Sequence, residues 1–195
     1  MTATPGLRER KKAETRQAVY KAALHLIAEQ GFDNVTVEAI ADVANISRRT
    51  FFNYFTDKAD AVMYGEEERH RRLLEKFRAR PASESGWQAL RHAAEELMEE
   101  YGEPDREWVL RVRLARRHPS LLARQLAGTG ALERELAQDL AARDGQEVLR
   151  ARVLAGAFLA AIRIASAVWL EEDQSRGLTE TTMAALAELD PAFGG

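Results

Sequence analysis

Two adjacent arginines, Arg48 and Arg49, stand five and four residues ahead of Asn53 within TVEAIADVANISRRTFFNYFTDK, the stretch from Thr36 to Lys58. An arginine side chain is a planar fork that matches the O6 and N7 acceptors of guanine, and an asparagine pairs with adenine in the same two-point way. Thr36 and Ser47 are hydroxyl residues suited to capping helices, where open backbone N–H groups receive phosphate. Tyr54 and Lys58 follow at positions suited to phosphate oxygens. The same spacing also fits two helices that merely pack with polar surfaces outward, and periodicity alone does not separate the two readings.

The elements that must position these side chains are short helices. Apolar residues Val19, Ala22, Ala23, Leu26 and Ile27 recur at three and four, which predicts a helix from about Arg10 to Gln30, closed by Gly31 in a left-handed cap with Phe32 folding back. Thr36 between Val35 and Ile40, and Ser47 between Ile46 and Phe51, each make a hydroxyl cap inside a hydrophobic staple. Val37, Ile40, Ala41 and Ala44 are the predicted buried stripe of the second helix, and Asn45 holds the turn where positive φ is needed. With Phe51 and Phe55 turned inward, Arg48, Arg49, Thr50 and Asn53 must face outward.

Composition bounds the function. The 195 residues, 46% hydrophobic and 30% charged, suffice for a helical core, and no cysteine supplies a disulfide, thiolate ligand or thiol nucleophile. The net charge of −3 hides an asymmetry: residues 8 to 21 carry six basic side chains against two acidic, and residues 1 to 60 nine against eight. That distribution suits a protein that meets phosphates at one end. The longest apolar run, Val153 to Ile162, stops at Arg163, so no bilayer crossing is expected, and the amino terminus lacks the apolar core of an export signal. A cytoplasmic protein without a membrane partner is the expectation.

The ordered set from the first helix through Gly31-Phe32, Thr36-Val37, Ile40-Ala41, Ile46-Ser47, Thr50, Tyr54-Phe55 and Lys58 resembles the DNA-binding domain of the TetR family of bacterial regulators. The resemblance covers roughly residues 10 to 60. It implies an all-α homodimer of about nine helices, with a three-helix helix-turn-helix domain at 8–57, a linking helix at 58–80 and a ligand-binding and dimerisation domain at 81–195. It implies phosphate contacts from Thr36, Ser47, Tyr54 and Lys58, and base edges near Arg48, Arg49, Thr50 and Asn53. The implied partners are a near-palindromic DNA operator and a small hydrophobic or acyl-like effector, with no cofactor.

Departures from the family's common residues lie on or beside the reading surface. Arg49 replaces a glycine and can serve as a base reader or a second phosphate contact. Phe52 replaces a tyrosine and can touch a thymine methyl or enter the core. Asn53 replaces a histidine and Asn45 a glycine.

After Asp57 a longer helix is predicted to about Arg80, with Glu66 to Glu68 and Arg69 to Arg72 facing water. Pro81 to Gly86 marks a boundary. Further helices are expected at Ser85 to Tyr101, Pro104 to His118, Pro119 to about Arg143 with an interruption at Gly128-Thr129-Gly130, Gln146 to Glu171, and Thr179 to Leu189. Trp87, Met98, Trp108, Phe158 and Trp169 are candidate pocket residues. Arg163, amid apolar neighbours, must find an anion, as the head of an effector or a carboxylate across a dimer, or else reach water. Arg111 and Arg113 pose the same question more weakly. An activator, or a small helical metal-dependent enzyme built on His92 with Glu95 and Glu96, are the alternatives. The second lacks the matching Glu-x-x-His that a two-metal bundle needs, and no catalytic motif is present, so no enzyme is expected.

Overall fold

The computed structural model describes residues 6–171 and 176–193, which form ten helices and no strand. They are α1 (Leu7–Gln30), α2 (Val37–Val43), α3 (Arg48–Phe52), α4 (Lys58–Ala79), α5 (Gly86–Tyr101), α6 (Arg106–Arg117), α7 (Pro119–Asp144), α8 (Val148–Glu171), α9 (Leu178–Ala187) and α10 (Asp190–Phe193). The tenth, beyond the nine expected, is a single turn after α9.

Side-chain caps set the helix starts. Thr36, Ser47 and Asp105 each accept a hydrogen bond from the backbone N–H three residues on, and Ser85 and Gln88 form a reciprocal capping box. Each such cap stabilises its helix by about 1 kcal/mol. Gly31 has the expected positive φ of 84°, but its ψ of 150° leads the chain out extended, not into the left-handed helical cap predicted. Asn45 takes φ 53°, the conformation its turn requires.

The interruption predicted at Gly128 to Gly130 is absent: α7 runs through it unbroken. Two glycines cost helix stability, but only about 1 kcal/mol each, and the flanking turns are held by buried Leu121, Leu132, Leu136 and Leu140. The expected limit on α8 also needs correction. Apolar residues continue on both sides of Arg163, and this helix is long and apolar enough, by length and composition, to cross a bilayer. Part of it is core instead, with Ala151, Leu154, Ala155, Phe158 and Trp169 buried.

The helices gather into two compact units. One contains the chain up to Glu68 together with Asp105–Leu126; the other contains Arg69–Pro104 and the chain from Ala127 onward. In the first, Val19, Ala23, Leu24 and Ile27 of α1 pack with Ile40, Phe51, Phe55, Val62, Leu114 and Leu121. α1 and α4 approach closely at Gly65, where an added Cβ would lie 3.1 Å from the Tyr20 ring.

The second unit is centred on Phe77, Trp87, Leu90, Leu136, Leu140, Phe158 and Leu186. Asp144 receives the Gly86 N–H at 2.8 Å, and an added Cβ on Gly86 would lie 2.5 Å from that carboxylate and from Leu140, so a side chain here would push both away. Arg143 donates to the carbonyls of Phe77, Arg80, Pro81 and Glu84. Arg80 pairs with Glu84 and Glu96. The Arg80 guanidinium, helped by His92, holds the Glu84 carboxyl down at about 2.

Candidate nucleic-acid interface

The helix-turn-helix lies wholly within the first unit. Its geometry starts from two aromatic residues: Phe51 is fully buried and Phe55 nearly so, which fixes the rotation of α3. Arg48, Arg49, Phe52 and Asn53 are consequently exposed, and Thr50 is half-buried. Thr36 Oγ1 accepts from Ala39 N at 3.1 Å, and Ser47 Oγ accepts from Thr50 N at 3.0 Å. Ser47 and Thr50 also join their hydroxyls at 2.8 Å. These bonds hold the two helix starts rigid next to the exposed row.

The two arginines differ in a way their adjacency conceals. Arg48 Nε lies 3.0 Å from Glu38 Oε1 of α2, and its guanidinium sits 5.5 Å from the centre of the Phe52 ring. Arg49 makes no ion pair with any described residue and is exposed on α3. Phe52 stands edge-on to Phe51 and is 48% exposed, so of its two expected roles the structure places it outside the core. Asn53 ends α3 as its C-cap, its N–H donating to the Arg49 and Thr50 carbonyls.

Tyr54 is half-buried with the Arg16 guanidinium 5.3 Å from its ring centre. Lys58 is committed to the protein itself: Nζ donates to the Phe32 and Val35 carbonyls at 2.6 and 2.9 Å and lies 4.5 Å from the Phe32 ring centre. Two of its three N–H donors therefore close the loop between α1 and α2.

A further cation supports this region. Arg124 of α7 donates to Asp57 at 2.8 Å and to Asp60 at 3.0 Å. Asp60 in turn accepts from the Thr56 backbone N–H and hydroxyl, and Asp57 accepts from Asp60 N. The segment that joins α3 to α4 is thus clamped from α7. Sequence reasoning missed Arg124 and Glu38 because each acts through a partner set by tertiary packing, not by helical spacing.

The charged stretch predicted to face water does so only in part. Glu66 is half-buried against Arg111, itself 3% exposed, with 2.6 Å between Oε2 and Nη1, and Gln125 donates to the same carboxylate. Glu67 is exposed, and its carboxyl is raised above its usual range by the loss of part of its water shell to its neighbours, with the Asp60 charge adding to it. Breaking one side of a buried pair such as Arg111 with Glu66 costs about 3 to 5 kcal/mol.

The candidate pocket residues are not all in one unit. Trp108 and Arg111 belong to the first; Trp87, Met98, Phe158, Arg163 and Trp169 belong to the second. Trp87 meets Phe158 edge-on and donates to Asp190 at 2.7 Å. Trp169 donates to the Arg176 carbonyl at 2.9 Å. Met98 is half-buried, and Arg163 and Arg113 are exposed. His92 approaches Glu84 and Arg80 rather than Glu95 or Glu96.

Known proteins share this architecture. Residues 19–61 match the family described as bacterial regulatory proteins, tetR family, and residues 84–194 match the MftR C-terminal domain. The HTH-type transcriptional regulator TcmR of Streptomyces glaucescens is 32% identical over 174 residues, covering 85% of this chain and 77% of TcmR. Among solved structures, Thermus thermophilus FadR in complex with lauroyl-CoA aligns with a TM-score of 0.60 at 22% identity, over 89% of this chain and 92% of that one. Bacillus subtilis FadR in complex with stearoyl-CoA aligns with a TM-score of 0.55 at 21% identity, over 89% and 96%. With an exposed reading helix on a buried aromatic anchor and both matches in order along the sequence, the chain belongs to the TetR family and is a DNA-binding transcriptional regulator.

Proposed function

We propose that this regulator is a cytoplasmic repressor, bound as a homodimer to a near-palindromic operator and released by a small hydrophobic or acyl-like molecule. The observation that carries the DNA half is the rotation of α3: Phe51 buried, Arg48, Arg49 and Asn53 exposed. In this reading Arg49 and Asn53 meet base edges, with Thr50 beside them. Thr36, Ser47 and Tyr54 contact phosphates, and the third donor of Lys58 reaches another. Phe52 offers its ring to a thymine methyl.

The partner face for the second copy is on α8. Leu149, Val153, Gly156, Ala160 and Ile164 follow one another at three and four residues; Leu149, Val153 and Ile164 are exposed, and nothing lies within 4 Å of a Cβ on Gly156. Such a stripe of apolar and small residues suits close approach by the same helix of a second chain. Arg163 borders this stripe, where it either pairs with a carboxylate of that second chain or receives the anionic end of the effector.

The effector class rests on the two FadR structures that hold acyl-CoA, together with the apolar side chains Trp87, Met98, Phe158 and Trp169 of the second unit. Trp87 and Phe158 now fill each other's space, so a ligand that touches them must displace one and repack the core. That gives the differential affinity that release requires. Lauroyl-CoA added to the protein on its operator is expected to weaken binding by roughly 5- to 150-fold, the usual range of allosteric coupling. Unchanged affinity with saturating acyl-CoA of several chain lengths contradicts this effector class.

A further inference from the structure

The single turn α10 is fastened to α5 by one carboxylate. Asp190, its first residue, accepts the Trp87 indole N–H on Oδ1 at 2.7 Å, and Arg91 Nη1 donates to both Asp190 oxygens at 2.9 and 2.8 Å. Three residues on, the Phe193 ring lies with its centre 5.8 Å from that of Trp87, which in turn stands edge-on to Phe158 at 6.4 Å. Trp87 is buried and Phe193 half-buried. A carboxylate and an apolar ring of the same short turn thus cover the polar edge and the apolar body of one indole.

The cover fits its seat imperfectly. Both Asp190 oxygens are bound through the one nitrogen Nη1, while Arg91 Nε is buried and without a hydrogen-bond partner among the described residues. A carboxylate free to turn takes two N–H groups of a guanidinium side by side, which Asp190, fixed on its turn, does not do. The pair is also reached by water, with the Arg91 and Asp190 side chains 32% and 38% exposed, and ion pairs so exposed hold their partners weakly. The backbone of α10 is tied locally, the Ala192 and Phe193 N–H groups donating to the Leu189 carbonyl. The buried Trp87 N–H needs an acceptor, but any carboxylate can supply it.

We propose that Trp87 and Arg91 form a binding site for a carboxylate carried on an apolar body, and that Asp190 and Phe193 occupy it as the chain's own stand-in. The incoming carboxylate takes Arg91 and the Trp87 N–H from Asp190, and the apolar body replaces Phe193 on the indole, so α10 comes away as the ligand binds. The inference rests on the effector reading above and assigns the anionic end of the effector to Arg91, not to Arg163. A closed latch lowers apparent affinity by the fraction of molecules in which it is open.

The test is calorimetric titration of the full chain with laurate and with 4-phenylbutyrate, each against its neutral alcohol, dodecanol or 4-phenylbutanol. Asp190→Asn keeps the side-chain volume and an acceptor for Trp87 but removes the competing charge. If the latch is open about one tenth of the time, this variant should bind a carboxylate up to about tenfold more tightly than wild type. Phe193→Ala, which removes the apolar half of the stand-in, should also tighten binding. Arg91→Gln should bring the carboxylate and its alcohol to equal affinity, and adding Asp190→Asn to it should restore no preference. Carboxylate affinity unmoved by Asp190→Asn and by Phe193→Ala overturns the stand-in, as does a preference over the alcohol that survives Arg91→Gln. No binding of either carboxylate to wild type or to Asp190→Asn overturns the site. The two readings fail separately. Carboxylates bound as described with operator affinity unmoved retain the site and remove the effector role, whereas lauroyl-CoA that releases the operator while these variants leave carboxylate binding unmoved retains the effector reading and overturns the site.

Discussion

At the scale of single residues, neighbouring cations on the same surface have different work. Arg49 is exposed, Arg48 is tied back to Glu38, and Lys58 is spent largely on the Phe32 and Val35 carbonyls. Arg49→Ala is therefore expected to relax preference at one base pair by about 1 to 3 kcal/mol, with little change in thermal stability. Lys58→Ala is expected to lower stability by about 1 to 3 kcal/mol, because two part-buried carbonyls lose a charged donor. Melting curves and binding to a set of single-base operator variants separate the two. Equal losses on every duplex for Arg49→Ala would make it a phosphate contact. The outward row was legible from the sequence because Phe51 and Phe55 fix one face and the rest follows from 3.6 residues per turn. The pairing of Arg48 with Glu38 was not, since it depends on how α2 and α3 cross.

At the scale of elements, the helix starts were readable to within a residue or two wherever a hydroxyl or carboxyl cap stood before an apolar run, as at Thr36, Ser47 and Ser85. The glycines of α7 misled because local propensity cannot weigh the leucines that hold the helix on either side. What no local signal could give is the clamp of Arg124 on Asp57 and Asp60, contacts made across more than sixty residues of sequence. That clamp positions the first turn of α4 next to the reading helix. Arg124→Ala should weaken operator binding about tenfold or more while the salt slope stays near wild type, since no phosphate contact is removed. A charge exchange, Arg124→Asp with Asp57→Arg, should recover part of the loss. If Arg124→Ala lowers the slope by about 0.9 per subunit, the side chain is on DNA and not a clamp.

At the scale of the whole molecule, one depressed carboxyl ties the stability of the second unit to pH. The Glu84 carboxyl, held at about 2 by Arg80 and His92, lies below its ordinary 4.5. A carboxyl depressed in the folded state adds stability above its unfolded pKa and loses it as pH falls towards the folded one. Wild type should therefore melt above Glu84→Gln near pH 5, and the margin should shrink as pH falls from about 4.5 towards 2. A margin independent of pH over that range would show that the contact is steric and not ionic.

The account's central claim is that α3 reads sequence from a protein of two copies. Selection of bound duplexes from random DNA by the purified chain tests it most directly. An inverted repeat with half-sites about 34 to 36 Å apart or somewhat more, enriched over the input and lost with Arg49→Ala at one position of each half, is the predicted result. Recovery of duplexes with no shared sequence, bound with salt dependence alone, would contradict it.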